Sequence, residues 1–252
     1  FSMLMFILII LSAVIMIGAM IFIIGYILIR GIPNMKPELF AWKFTSENQS
    51  MMPSIINTIL MTLCTLVMAV PVGVFSAIYL AEYSKKGSKI VKLIRMTVET
   101  LSGIPSIVYG LFGFLAFVIA LHWQYSFISG AITLAIMVLP LIMRTTEEAL
   151  LAVPDSYREG SYGLGAGKLR TIFKIILPAA MPGILAGVIL AVGRIVGETA
   201  ALIFTAGTTA AVPENIFSST RTLAVHMYCL LSEGLYIDQA YATAVVLLVM
   251  VI

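Results

Sequence analysis

Charge is what this sequence has least of. Only 11% of its 252 residues are charged, against about 25% in a soluble domain, and its mean hydropathy is +1.08. That excludes a soluble globular fold, so the bilayer is the solvent for this chain. Cysteine is almost missing too. Cys64 sits in an apolar run and Cys229 in a connecting segment, which leaves neither a disulfide framework nor metal-ligand spacing. His122 and His226 are solitary and far apart, so no metal site is expected. No G-x-x-x-x-G-K-[ST] phosphate loop occurs anywhere, and the chain is therefore not expected to hydrolyse ATP. No internal repeat is found, no catalytic group is assigned, and nucleic acid is not an expected partner.

Long apolar runs fill the chain. A spanning helix needs about 20 apolar residues, each adding about 1.5 Å against a hydrocarbon core of about 30 Å. Six candidate spans follow, at 3–29, 54–81, 96–120, 126–143, 183–205 and 238–252. The opening run is longer than a signal-peptide core and lacks a small-residue cleavage site, so it is read as a retained anchor. Phe1 and the closing apolar run lead us to expect trimmed termini. Pro53, Pro140 and Pro182 lie near span ends, where a missing N–H does least harm. Pro71 and Pro105 lie inside spans and are expected to kink them, with Gly103 beside the second.

The few cations are unevenly placed. One loop carries Lys85, Lys86, Lys89, Lys92 and Arg95, and another carries Arg144, Arg158, Lys168, Arg170 and Lys174. The alternate connections hold Arg30, Lys36, Lys43 and Arg221, so the count is ten against four. Basic loops face the cytoplasm. Both ends of the complete chain are then expected inside, with 30–52 and 206–237 outside. Trp123 and Tyr125 in the short outer turn suit the headgroup level. Arg221 is read as a solvated surface residue. Glu99 is read as pairing with Arg95 four positions away. The segment 206–237 is read either as a short helix over the pathway or as a docking surface.

The second basic loop is too long and patterned for a bare connector. Pro154 stops the preceding helix. Ser156 and Glu159 then form an S-x-x-E capping box, and Gly163, Gly165 and Gly167 interrupt the short helix that follows. A second amphipathic segment places Leu169, Ile172, Phe173 and Ile176 on one side, and Pro178 and Pro182 close it. It reads equally as a helix lying on the inner leaflet or as a knob presented to a cytoplasmic partner.

Arg194 and Glu198 stand in "LAVGRIVGETAALIF", an otherwise apolar span. Each charge near the bilayer centre costs about 2.5–3.5 kcal/mol on insertion scales. Four positions apart on a helix, they share a face. One reading is a self-neutralising pair turned into the bundle. The other is an anion site, in which the Arg194 guanidinium grips a tetrahedral oxyanion through two parallel N–H bonds. Glu198 then orients Arg194 or accepts the hydrogen of a protonated oxyanion such as phosphate. Gly183, Gly187 and Ala191 form one small-residue stripe, and Gly193, Gly197 and Ala201 another. Thr199 and Thr205 are candidate hydroxyls on a polar path.

Glu159-Gly160-Ser161, three residues, Gly165, nine residues, Ile175, one residue and Leu177-Pro178 resemble the EAA loop of ABC importer permeases. "GRIVGETAALIFTAG" and "LSGIPSIVYGLFG" resemble segments of the phosphate-specific members, PstA type. The resemblance implies an all-α polytopic membrane protein of six transmembrane helices, with a MetI-like type I importer permease core and cytoplasmic coupling helices. It implies residues 1–52 as a first helix and outer loop, 53–252 as the permease core, and 145–182 as the loop that docks on the ATPase. It further implies half of the translocation pore of an ATP-driven phosphate importer in a prokaryotic cell membrane. Expected partners are a homologous second permease of PstC type, a homodimeric cytoplasmic ATPase, an extracytoplasmic phosphate-binding protein, phosphate and the lipid bilayer. ATP and Mg belong to the ATPase, and this chain is expected to bind no cofactor. Arg194, Glu198 and Thr199 become residues of the substrate path.

Other readings are an ABC permease for sulfate or molybdate and an ion-coupled secondary transporter using Glu198 as a proton site. A polyamine permease fits poorly with Arg194. An intramembrane enzyme fits poorly with spans that lack histidine.

Overall fold

The computed structural model describes residues 2–84 and 88–252, which leaves Lys85 and Lys86 of the first basic loop outside. Every regular element among the described residues is helical. Long continuous apolar runs favour this, because a backbone in hydrocarbon must satisfy its own N–H and C=O groups and a helix does so within one segment. Four helical stretches are long and apolar enough to cross a membrane: Met3–Asn34, Met52–Tyr83, Phe127–Leu151 and Lys168–Val196. A broken fifth joins Lys89–Ser102 to Ser106–Ala120 through a bend of 100°. A shorter apolar helix, Ile237–Val251, has 15 residues.

The helix α1 (Ser2–Gly31) stands apart, exposed along most of its length. Its last turns meet α11 (Ile237–Val251), where Tyr26 sits edge-on to Tyr241 with ring centres 5.9 Å apart. Gly31 lies against the Tyr241 carbonyl, with no room for a side chain. The core is built round α5 (Phe127–Leu151), which packs against α2 (Met52–Ile78) and α8 (Leu177–Val196). Met61, Leu134, Met137, Ile142 and Ile195 are fully or almost fully buried there. Lipid is as apolar as leucine, so close packing rather than water exclusion holds these helices together. Small residues permit it. A Cβ at Gly73 would lie 2.7 Å from Ile142, and one at Gly183 would lie 2.7 Å from Ala149.

Several spans differ from the sequence reading. The third does not run straight from 96 to 120. The helix α3 (Lys89–Ser102) ends at Gly103, and α4 (Ser106–Gly113) starts after Pro105, which has extended backbone at ψ 141°. Proline lacks the N–H and bars helical geometry for Ile104, so a sharp turn replaces the expected kink. The Tyr109 hydroxyl donates to the Leu101 carbonyl at 2.8 Å, closing the corner. By contrast α2 continues through Pro71. The fourth span continues to Leu151, so Pro140 is interior rather than terminal.

The fifth span is longer at one end and shorter at the other. Helix runs from α7 (Lys168–Thr171) through a π turn, Ile172–Ile176, into α8. Pro178 and Pro182 therefore do not close off the amphipathic segment. In the π turn the Leu177 N–H bonds Ile172, five residues back. That shift in hydrogen-bond register accommodates a proline at 178, which has no N–H of its own. The helix then stops at Val196.

Apart from Arg194 and Glu198, most charges lie towards the two ends of the bundle. At the basic end Arg95 reaches Glu147 of α5 at 2.6 Å and not Glu99, because α3 lies across α5 and turns Arg95 towards it. At the opposite end the 30–52 and 206–237 segments meet. Asn57 donates to the Ala211 and Arg221 carbonyls at 2.9 and 3.1 Å, and the Tyr236 hydroxyl donates to Ser46 at 3.2 Å. The 206–237 segment holds a helix, α10 (Leu223–Glu233), whose first turn is buried. Arg221 is buried as well, which overturns its reading as a solvated residue. The sequence around it is polar enough to look exposed, but α2 and the 30–52 segment fold over it.

Candidate functional site

The helix break at 197–199 decides the fate of the charged pair. Arg194 occupies the last turn of α8. Gly197 caps that helix through an N–H bond to Gly193 at 3.2 Å, and the short α9 (Ala200–Thr205) starts after Thr199. Glu198 therefore lies beyond the break and does not share a helix face with Arg194. Its carboxylate instead accepts the Ala201 N–H at 3.0 Å, satisfying one of the orphan donors of α9. The expected intrahelical pair is absent among the described residues. Two consecutive uncapped requirements, a glycine end and a new helix start, outweigh a weak Arg-before-Glu attraction.

Arg194 is left half-buried, with no side-chain partner among the described residues. The glycines flanking it are uncovered. A Cβ at Gly193 would meet nothing within 4 Å, and one at Gly197 would meet only the Gly193 carbonyl at 3.5 Å. The two small-residue stripes thus differ. Gly183, Gly187 and Ala191 pack on α5, whereas Gly193 and Gly197 face no other part of the described chain. Thr199 is half-buried, with a long 3.4 Å bond to the Gly197 carbonyl. Thr205 bonds back to Ala201 at 2.8 Å, so its hydroxyl is spent within its own helix.

The segments "LSGIPSIVYGLFG" and "GRIVGETAALIFTAG" meet in space. A Cβ at Gly110 would lie 2.8 Å from the Ala201 Cα. Gly113 abuts the Thr133 hydroxyl and Thr205, with no space for a side chain. The glycines of "IVYGLFG" let α4 lie directly on α9, and so hold the break that positions Arg194.

The basic loop makes a second constellation. The helix α6 (Asp155–Gly163) starts after Pro154, with no side-chain cap, so the Ser156–Glu159 capping box does not form. Pro154 fixes the start two residues early and puts Ser156 inside the helix. Asp155 takes up the first turn instead and accepts from Arg158 at 3.1 Å. Gly165 has φ +80°, a left-handed conformation that favours glycine. The Gly165 N–H bonds Tyr162 at 2.9 Å and the Ala166 N–H bonds Ser161 at 3.1 Å, a Schellman ending. The Ser161 and Thr171 hydroxyls meet at 2.8 Å, buried, and tie α6 to α7. Ile172 and Ile176 are fully buried against Ala77, Ile78, Leu150 and Val153. Leu169 and Phe173 are exposed, contrary to their expected place on the same side. Glu159, Gly160 and Pro178 are exposed, and Ile175 and Leu177 are half-buried.

Arg158 fastens this loop. Its guanidinium bonds Glu82 at 2.7 Å, the Leu150 carbonyl at 2.9 Å and the Val153 carbonyl at 2.8 Å. It therefore caps the end of α5 while clasping a second π turn, Tyr79–Tyr83, at the end of α2. Glu82 beside it raises an already high guanidinium pKa.

The sequence profile of binding-protein-dependent transport system inner membrane components matches residues 69–252. The chain belongs to that family. This permease chain is 34% identical over 243 residues to the probable ABC transporter permease protein YqgI of Bacillus subtilis, covering 90% of this chain and 82% of that one. It is 40% identical over 179 residues to the phosphate transport system permease protein PstA of Yersinia pestis, covering 70% and 60%. It is 40% identical over 151 residues to PstA 1 of Mycobacterium tuberculosis, covering 60% of this chain and 48% of that one. The permease thus spans about half the length of that mycobacterial relative. Its fold is also that of solved importers. The inward-facing MetNI methionine ABC transporter aligns with TM-score 0.60 at 19% identity, over 80% of this chain and 87% of that one. An amino acid ABC transporter aligns with TM-score 0.58 at 21% identity, over 79% and 86%.

Two constellations of the permease are absent from the sequence reading. The Arg158–Glu82 clasp spans 76 positions, and the one hint of it is an acidic residue closing an apolar span. Burial of Arg221 has no sequence signal beyond its flanking threonines. No group of three or more possible metal ligands occurs among the described residues.

Proposed function

We propose that this chain is the transmembrane subunit forming half of the pore of an ATP-driven phosphate importer. The observation that carries the reading is Arg194: a half-buried cation with no side-chain partner among the described residues, beside an open glycine face at a helix break. An unpaired charge in a span is expensive, and a function at that position is the expected reason for it. Its fork of N–H groups suits a tetrahedral oxyanion. The 40% identity to PstA proteins supports phosphate as that anion. Thr199, beside the break, adds a hydroxyl, and Glu198 fixes the α9 start that borders the site.

The basic end faces the cytoplasm in this reading. There Tyr157, Tyr162, Leu164 and Leu169 are exposed next to Glu159, Lys168 and Arg170. An apolar patch of that kind suits docking on an ATPase homodimer, which binds the ATP and Mg. The exposed α1 and the open Gly193–Gly197 face suit contact with lipid and with a second permease subunit of PstC type. A phosphate-binding protein delivers the anion to the opposite end.

The test is reconstitution of the complete transporter in proteoliposomes with labelled phosphate, sulfate and molybdate. ATP-dependent uptake of phosphate in preference to the others supports the reading. Uptake of sulfate or molybdate alone overturns it.

A further inference from the structure

The permease buries a second arginine that the pore reading does not use. Arg221, between α9 and α10, is only 6% exposed. Its Nε and Nη2 both lack a hydrogen-bond partner. These two atoms form the side-on fork of the guanidinium, the pair that presents parallel N–H groups to two oxygens of one anion. No carboxylate pairs with it among the described residues. Its nearest acidic neighbours, the Cys229 thiol and Glu233, offset only part of the burial, which lowers the guanidinium pKa.

Other unpartnered polar groups are buried on the same outer elements. The Thr222 hydroxyl and both ring nitrogens of the fully buried His226 have no partner. Neither has the hydroxyl of fully buried Ser54, on the turn of α2 that anchors α10 through Thr58 and Leu223 at 2.8 Å. Buried polar groups are normally satisfied, and a cluster of orphans needs an explanation. A lid accounts for the burial. Phe44 lies over the Arg221 guanidinium with its ring centre 4.6 Å from Cζ, and meets His226 edge-on at 6.3 Å.

We propose that the Arg221 fork, with Thr222, Ser54 and His226, is a second oxyanion station at the end opposite the basic loops, covered here by Phe44. It rests on the phosphate reading and adds to it: the anion is held once near the entrance and again at Arg194. Displacing Phe44 uncovers the fork, and the anion replaces the aromatic face as partner of the cation.

The test is equilibrium binding of labelled inorganic phosphate to the complete transporter in lipid nanodiscs, in an Arg194→Gln background that removes the pore site. Phe44→Ala is expected to raise phosphate affinity about tenfold or more. Adding Arg221→Gln is expected to abolish that binding, and Arg221→Lys, which keeps charge without the fork, to weaken it about tenfold, the scale of one charge-assisted hydrogen bond. No binding in the Phe44→Ala protein, or binding indifferent to Arg221→Gln, overturns the station. If Arg221→Gln destroys assembly while Phe44→Ala exposes nothing to phosphate, the fork serves a carboxylate of a neighbouring subunit, which also overturns it. Wild-type uptake run in parallel separates the two proposals. Absent phosphate uptake sinks the pore reading, whereas normal uptake without Arg221-dependent binding sinks this inference alone.

Discussion

Arg158 holds Glu82 at 2.7 Å, and both side chains are largely buried, 15% and 6% exposed. The same guanidinium caps α5, so three helices converge on one side chain at the root of the basic loop. Any movement transmitted through α6 and α7 therefore reaches α2 and α5 through this clasp as well as through Ile172 and Ile176.

Removing one partner of such a pair leaves the other buried and uncompensated, at a cost of about 3 kcal/mol. Glu82→Gln is expected to lower the thermal stability of the assembled transporter and to reduce coupled transport more than ATP hydrolysis. Parallel measurement of ATPase rate and uptake checks this. The swap Glu82→Arg with Arg158→Glu is expected to recover less than half of the loss, because the carbonyl bonds of Arg158 are not replaced.

Gly165 and Gly160 separate backbone need from spacing. Gly165 has φ +80°, and Gly165→Ala is expected to cost about 1–2 kcal/mol in the left-handed region. Gly160 is helical, with nothing within 4 Å of a built Cβ, so Gly160→Ala is expected to be neutral or to stabilise by about 0.5–1 kcal/mol. Thermal unfolding of the two variants distinguishes them.

Gly110 and Gly193 make a similar contrast inside the membrane. Gly110→Val drives a side chain into the Ala201 backbone and is expected to abolish transport and weaken assembly. Gly193→Ala meets no atom of its own chain, so this subunit is expected to fold normally. Size-exclusion profiles of the solubilised complex, with uptake, read both.

His226 gives a pH prediction. Burial, aided by Arg221, depresses its pKa to about 3 from 6.5. The unfolded chain then takes up a proton below about pH 6.5 while the folded chain does not, so stability falls as pH drops from about 6.5 towards 3 and is unaffected above pH 7. His226→Gln is expected to flatten that slope, measured as melting temperature against pH.

Much of this was legible in the residues. Apolar runs mark the helices, and the spacing from Glu159 to Pro178 marks the loop, because glycine at a left-handed turn and apolar residues that pack on neighbouring helices leave a local pattern. What escaped depends on contacts distant in sequence. Glu82 and Arg158 meet only because α2 and α5 end side by side, and Arg221 is buried only because two outer segments fold together. The Arg194–Glu198 pair misled for a different reason. Apolar residues on both sides of 197–199 make one long span of the sequence, while the break arises from Gly197 capping one helix and Glu198 starting the next.

In the proposed function Arg194 binds the transported anion. The direct measurement is ATP-dependent uptake of labelled phosphate by the reconstituted transporter, comparing wild type, Arg194→Gln and Arg194→Lys, with assembly and ATPase activity followed alongside. Arg194→Gln is expected to assemble normally and to lose uptake by about tenfold or more, while Arg194→Lys retains part of it. Unchanged uptake in Arg194→Gln would contradict that role and leave Arg194 as a structural residue of the α8 end.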